Sequence, residues 1–273
     1  MSDRDQPLEI IERLIHDQPR LSFVSESDVA LKEEYTKKYG FQESVGPISW
    51  AVHPDILRLF PGYLGSRSLT LETGSGHTTI ALGALSRHHI CISPDKAGIQ
   101  LATQYMDTVG IPRDKVTFIE ESSELALPSL SLAEQLDFAY VDGCHGYPFP
   151  ALDWHFIDRH LKIGGHIAFD NVELPSVRYH CDFLDANRSY SVVKTLVFER
   201  WGDYQVKIYR KEKDEPREWM FQAFNEKFNE KRLQQLPHMR KPPGMVERIM
   251  ARCLPWRLVQ VPLRKRFGWP RSE

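Results

Sequence analysis

The sequence predicts an α/β protein: a doubly wound, mostly parallel seven-stranded sheet closed by an antiparallel hairpin, with a helical preface before it and a helical extension after it. Three observations predict this. From residue 68 to 210, short apolar runs alternate with helix-period segments, the pattern of strands joined by crossover helices. The last two runs have only Arg200 to Asp203 between them, too few residues for a crossover, so they pair antiparallel. Residues 1–66 and 213–273 lack the alternation and read as helical additions to a core of 67–212.

The elements follow in order. "PLEIIERLIHDQ" (7–18) places Leu8, Ile11, Leu14 and Ile15 at helical spacing. Residues 27–40 are charged and helical in pattern, and "HPDILRLFPGYL" (53–64) is a short helix opened by Pro54 and Asp55 and stopped at Pro61-Gly62. The predicted strands are 68–72, 89–93, 115–120, 136–142, 164–170, 191–199 and 204–211. The predicted crossover helices are 77–85, 95–110 (ended by Gly110), a short one near 130–135, 151–161 and 175–187.

Composition narrows the function. Hydrophobic residues make up 41% of the 273, enough for a full core. A net charge of −2 gives no general case for nucleic-acid binding. Cys91, Cys144, Cys181 and Cys253 are scattered without a CxxC pair, which speaks against a disulfide framework or structural zinc and for a reducing compartment. The opening "MSDRDQPLEIIERLI" has early acids and no long apolar core, and no apolar run approaches the ~18 residues of a spanning helix. The expectation is a cytoplasmic protein.

"LTLETGSGHTT" (69–79) sits where the first strand meets the first helix. Gly74 and Gly76 let the backbone approach a ligand closely, and the helix N-terminus offers free amides. A dinucleotide fingerprint would want Gly or Ala where Thr79 stands. The acid Glu72, two residues before the first glycine, suits a cation better than a pyrophosphate.

Glu72, Gly74, Gly76 and Thr78 form an E-x-G-x-G-x-T run that resembles motif I of the class I S-adenosylmethionine-dependent methyltransferases, a Rossmann-like fold. The resemblance covers roughly residues 45–212. It implies that Gly74, Ser75, Gly76 and Thr78 line the methionine part of the cofactor and that Glu72 helps hold its ammonium. After strand two the family places an acid on the ribose; here Ser93 stands at that position and Asp95 lies two residues on, a departure from the pattern. Ser122, after strand three, falls among Glu121, Ser122 and Ser123, where adenine-edge contacts lie in the family.

The run "VDGCHGY" (141–147) ends strand four, and Asp170-Asn171 ends strand five. In this fold those ends are neighbours, so Asp142, Asp170 and Asn171 can converge as oxygen ligands for a hard cation, Mg²⁺ above all. The D-G-x-H-x-Y form resembles the metal-dependent O-methyltransferase branch, including its sugar and natural-product members. That implies metal ligation by Asp142, Asp170 and Asn171, with Asp142 also at the cofactor and in catalysis. His145 is the candidate base, with an ordinary pKa near ~6.5 suited to taking a hydroxyl proton.

Structural alternatives stand beside these roles. Asp142 can cap an Asp-Gly turn, Asp170-Asn171 can cap the helix near 175, and His145 can bond a neighbouring loop. Cys144 is not placed as a nucleophile, because methyl transfer needs no covalent enzyme intermediate. Tyr147 belongs to the site rim, His77 to the surface near the cofactor, and Asp153, Trp154 and His155 to packing and surface.

Residues 46–60 are a candidate lid, with Trp50 and His53 facing the substrate or packed on the sheet. Residues 215–273 hold 13 Lys+Arg against 6 Asp+Glu, with Trp219, Trp256 and Trp269. This basic tail suits packing on the acidic body, or contact with an anionic membrane surface or acidic partner. The expected enzyme methylates a hydroxyl of a small molecule, a sugar or natural product. The alternatives are a metal-independent N- or O-methyltransferase and a non-catalytic cofactor-binding protein that docks through its tail.

Overall fold

The computed structural model describes residues 5–18, 51–186, 189–199 and 203–214. The chain divides into units 1–216 and 217–273, and the second lies outside the described residues. The expected helix over 27–40, Trp50 and the basic tail fall there too.

The strands are β1 (Leu69–Thr73), β2 (His88–Ile92), β3 (Val116–Ile119), β4 (Leu136–Val141), β5 (Leu161–Phe169), β6 (Tyr190–Phe198) and β7 (Tyr204–Lys211). They form one sheet in the order β3-β2-β1-β4-β5-β7-β6. The first five are parallel, and β7 runs antiparallel to both β5 and β6. The predicted fold class is therefore the observed one, down to the closing hairpin. The central strands β1, β2 and β4 are buried almost throughout, as crossover helices on both faces require, whereas much of β6 is exposed.

The helices are α1 (Asp5–Asp17), α2 (Pro54–Leu59), α3 (His77–Leu85), α4 (Lys96–Val109), α5 (Ser123–Ala126), α6 (Phe149–Asp158) and α7 (Pro175–Ala186). Sheet pleating splits the core in two. One cluster joins Ile11, Leu14, Ile56, Ile80 and Met106 to Phe138 and Tyr140. The other joins Leu71, Ala139, Ile157, Val177, Leu184 and Tyr209. Alternate residues of β4 thus serve opposite faces.

The helix expected near 130–135 is a correction: the helical turn lies earlier, at Ser123–Ala126, and continues as a 3₁₀ turn over Leu127–Ser129. Ser122 takes the extended conformation of an N-cap, and Pro128 fits the first turn of the 3₁₀ segment because its missing N–H costs nothing there. Gly110 ends α4 in the left-handed region, φ 79°, as the sequence implies.

His53 accepts a hydrogen bond from Asp55 N at 3.2 Å and caps α2. Its ring stacks on Phe198 with centroids 3.9 Å apart. Its observed contacts are those of packing.

Lys211 closes the sheet. It is 1% exposed and donates to the carbonyls of Asp158 (2.7 Å) and Leu161 (3.0 Å). It also pairs with Asp158 Oδ1 at 3.2 Å. Lys211→Met is expected to lower unfolding free energy by about 3–5 kcal/mol, because Asp158 is left buried without its counter-charge. Urea denaturation at neutral pH measures it, and a change below about 1 kcal/mol would show that the pair stabilises little.

Candidate active site

In an open α/β sheet, ligands bind outside the carboxyl ends of the strands where the strand order reverses. Here the reversal lies between β1 and β4, which are adjacent. Their ends, with those of β2 and β5, bring Glu72–Gly76, Ser93–Asp95, Asp142–Tyr147 and Asp170–Asn171 to one edge of the sheet.

The glycine loop is built by close approach. Gly74 has φ 92°, and a Cβ on it would lie 2.2 Å from the Asp142 carbonyl oxygen. Gly74 N donates to Ile92 O at 2.9 Å, and Asp142 N donates to Thr73 O at 3.0 Å. The first glycine therefore lets the β1 and β4 ends touch. Gly76 differs: a Cβ there would have no atom within 4 Å, so open space lies above it. Its N–H donates to Thr79 Oγ1 at 2.9 Å. Thr78 is buried in the first turn of α3.

Glu72 is fully buried. One of its carboxylate oxygens accepts a short hydrogen bond from Thr79 Oγ1, and His89 Nε2 lies 3.2 Å from that same oxygen. Its contacts are thus internal ones beneath the loop. Ser75 Oγ donates to Ser93 Oγ at 3.1 Å, joining the ends of β1 and β2. Asp95 caps α4 by accepting from Gly98 N at 3.1 Å, and its own N–H donates to Ser93 Oγ at 3.3 Å. Both residues weighed for the ribose position are engaged within the protein. Ser122 stands half-buried at the end of β3, its N–H on Glu121 Oε1 at 3.1 Å.

Asp142, His145 and Asp170 each offer a ligand atom within 4.8 Å of the others. Two of these residues were expected together. Asp170 is 5% exposed, and its Oδ1 accepts from Tyr140 Oη at 3.0 Å and, by a shorter bond, from Tyr204 Oη. Burial pushes the Asp142 carboxyl well above its ordinary range, reinforced by the charge of Asp170 and a hydrogen bond to it. Burial also raises Asp170, to about 6, while bonds from Tyr204, Asp142 and Tyr140 oppose the rise. Two carboxyls this close share a proton unless a cation replaces it.

Asn171, expected as the third ligand, holds His145. Its Oδ1 lies 2.8 Å from His145 Nε2, and its Nδ2 donates to Glu173 Oε1 at 2.8 Å. That second bond fixes the amide, so Oδ1 accepts from the imidazole. His145 Nδ1 lies 3.0 Å from the Gly143 carbonyl oxygen. Burial lowers the His145 pKa, and Glu173 opposes the shift. Both ring nitrogens face acceptors, so action as a base requires the ring to leave one of these contacts.

Tyr147 stands at the rim, 73% exposed, with its ring edge toward Tyr179 at 6.4 Å. His77 corrects the expectation of a surface position: it is 3% exposed, and burial lowers its pKa to about 4. Helix α3 is buried along its whole length, which the short apolar run "IALGAL" only hints at. Asp153 is fully buried, whereas His155 is exposed. Cys144 is an exposed free thiol.

Sequence reading missed Tyr140, Tyr204, Glu173 and His89. Tyr140 had a signal, since it shares a strand face with Asp142 two residues on. Tyr204 had none, because its place at Asp170 depends on the β5–β7 pairing.

Residues 71–172 match the model of a family described as a methyltransferase domain. Against curated protein sequences the chain finds no match. Among solved structures it resembles Rv0187 from MTB, determined with cofactor bound, at 16% identity and TM-score 0.52, covering 70% of this chain and 92% of that one. It also resembles the O-methyltransferase TomG from Streptomyces achromogenes, involved in tomaymycin synthesis and determined with S-adenosylmethionine. There the identity is 15%, the TM-score 0.51, and the coverage 70% and 92%. At such identities the likeness is one of fold. The chain carries a methyltransferase domain over 71–172, and its enzyme class is methyltransferase.

Proposed function

We propose that the chain transfers a methyl group from S-adenosylmethionine to a hydroxyl oxygen of a small molecule, of the sugar or natural-product kind, with a divalent cation, Mg²⁺ foremost, at Asp142 and Asp170. The catalytic unit is 67–212, capped by 1–66 and extended by 213–273. The observation that carries the reading is the meeting of Asp142, Asp170 and His145 atoms within 4.8 Å, on a β4 end that the Gly74 turn presses against β1.

The donor chemistry fits both groups. Two carboxylates beside an imidazole nitrogen can hold a divalent cation, and the upward shift of both acids marks a site where a cation would favour the charged carboxylates. Open space above Gly76 next to the α3 N-terminus fits the amino-acid end of the cofactor.

When bound, S-adenosylmethionine supplies an already activated methyl group and the cation lowers the pKa of the acceptor hydroxyl. The protein's own part is placement and charge. Asp142 and Asp170 would hold the cation, and Tyr140 and Tyr204 fix the Asp170 carboxylate. His145 can take the acceptor proton at Nε2 once it has left Asn171 and its single N–H sits on Nδ1, donating to the Gly143 carbonyl oxygen.

Calorimetry with S-adenosylhomocysteine, with and without Mg²⁺, tests the reading. Wild type is expected to bind the ligand, and Mg²⁺ is expected to bind with a heat that Asp142→Ala abolishes. No ligand binding would overturn the cofactor assignment; Mg²⁺ binding untouched by Asp142→Ala would overturn the metal site. One observation favours a metal-independent variant of the same reaction: Asp170 is already satisfied by two tyrosine hydroxyls. Absence of any Mg²⁺ heat alongside normal ligand binding would select that variant.

A further inference from the structure

We propose that His89 is a positioning residue of the cofactor site, acting through Glu72 and Thr79 to hold the glycine loop in the shape that receives the amino-acid end of the cofactor. This rests on the cofactor assignment above and concerns a residue outside the motif.

His89 lies within β2 and is fully buried. A parallel strand flanked on both sides is normally filled by aliphatic side chains, so an imidazole there carries a desolvation cost that its contacts must offset. The β1–β2 register sets His89 opposite Thr70, and Nδ1 lies 2.9 Å from Thr70 Oγ1. The same pleat face carries Glu72 two residues along β1, and this brings His89 Nε2 to 3.2 Å from Glu72 Oε1, a close approach without hydrogen-bond geometry, Nε2 having no hydrogen-bond partner among the described residues.

From that oxygen a path of direct contacts leads to the loop. Thr79 Oγ1 donates to Glu72 Oε1, and Gly76 N–H donates to Thr79 Oγ1 at 2.9 Å. Glu72 Oε2 has no hydrogen-bond partner among the described residues.

A fully buried carboxylate needs donors or opposite charge to stay in place. Among the described residues the basic group beside it is His89. Without His89, Glu72 is free to turn, Thr79 loses a fixed acceptor, and the Gly76 amide loses its tether. Gly76 stands beneath the open space assigned to the amino-acid end, so the defect should be felt there and not at the nucleoside.

Two ligands separate these ends: S-adenosylhomocysteine, and 5′-methylthioadenosine, which keeps the nucleoside and lacks the amino-acid end. Calorimetry on the full chain compares wild type, His89→Leu, His89→Gln and Thr79→Val. Thr79→Val is expected to weaken S-adenosylhomocysteine by about tenfold or more, the range for a lost hydrogen bond to a carboxylate, and His89→Leu by about threefold to tenfold, the range for losing a close polar neighbour. Methylthioadenosine affinity should change less than about twofold. His89→Gln, which keeps an amide donor toward Glu72, should restore most of the loss.

Equal weakening of both ligands would show a purely structural histidine and overturn the proposal, as would no weakening of either. Wild type that binds neither ligand would instead overturn the cofactor assignment itself. Should His89→Leu fail to fold, His89→Gln and Thr79→Val still decide: the proposal requires selective loss in Thr79→Val and near-normal binding in His89→Gln.

Discussion

Gly74→Ala is expected to cost about 2–5 kcal/mol of stability and to abolish measurable S-adenosylhomocysteine binding. Two penalties add. The residue sits at φ 92°, where a side chain costs roughly 1–2 kcal/mol. Its Cβ would also lie 2.2 Å from the Asp142 oxygen and 2.8 Å from the Asp142 carbonyl carbon. Both are backbone atoms, and Asp142 N is tied to Thr73 O, so relief means parting the ends of β1 and β4. Overpacking of this kind adds roughly 1–3 kcal/mol. The same movement shifts Asp142 against Asp170 on the neighbouring β5 end, so the cation site should be disturbed with the loop.

Gly76→Ala is the control. Its backbone, φ 169°, is extended and open to any residue, and its Cβ meets nothing within 4 Å. Stability should change by less than about 0.5 kcal/mol, while ligand affinity falls because the new methyl fills the space above the loop. Thermal melts and calorimetry read both effects. Unchanged affinity in Gly76→Ala would show that the loop is not the cofactor seat.

Acidification is expected to strain the fold through buried histidines, and His180 most of all. Its ring lies among Trp154, Phe169 and Phe183 at 5.1, 5.1 and 6.1 Å. Burial pushes its pKa down from 6.5 to about 3. The unfolded chain therefore binds more protons than the folded one between those values. The sign follows: no penalty above pH 6.5, and a growing one as pH falls toward 3. At pH 4 it amounts to about 3 kcal/mol at 1.36 kcal/mol per unit. His77, lowered to about 4, acts in the same direction.

Asp170 and Asp153, each raised to about 6 by burial, act oppositely. They bind protons in the folded state first and gain stability as pH falls from 6 toward 4. Wild-type acid curves therefore mix both signs, and a variant must isolate the histidine. His180→Phe is expected to be about 3 kcal/mol better relative to wild type at pH 4 than at pH 7, by urea unfolding at both. An equal effect at the two pH values would show that His180 titrates normally in the folded chain.

The strand rhythm between 68 and 210 made the sheet legible, because a parallel sheet buried on both faces needs apolar strands and crossover lengths that few other folds share. Gly74 was legible too, as a glycine at the strand-to-helix turn. Asp142 and Asp170 could be paired in advance because neighbouring parallel strands deliver their ends to one edge.

What the sequence could not assign was partnership. His145 and Asn171 were given separate roles, base and ligand, yet they hold each other, and Glu173 decides the orientation of the amide between them. The motif I resemblance implies a cofactor contact for Glu72, and the structure shows it buried against Thr79 and His89. The short helix expected near 130–135 lies at Ser123–Ala126 instead, a single turn too short to leave a periodic signal in the sequence.

By itself the sequence determined the sheet, its closing hairpin and the strand ends that carry the acids, since periodicity and turn residues are local properties of the chain. The tertiary structure alone decided which buried polar atoms meet. Such pairing is set by strand register and helix packing across long separations, as with Tyr204 reaching Asp170, and no local pattern encodes it.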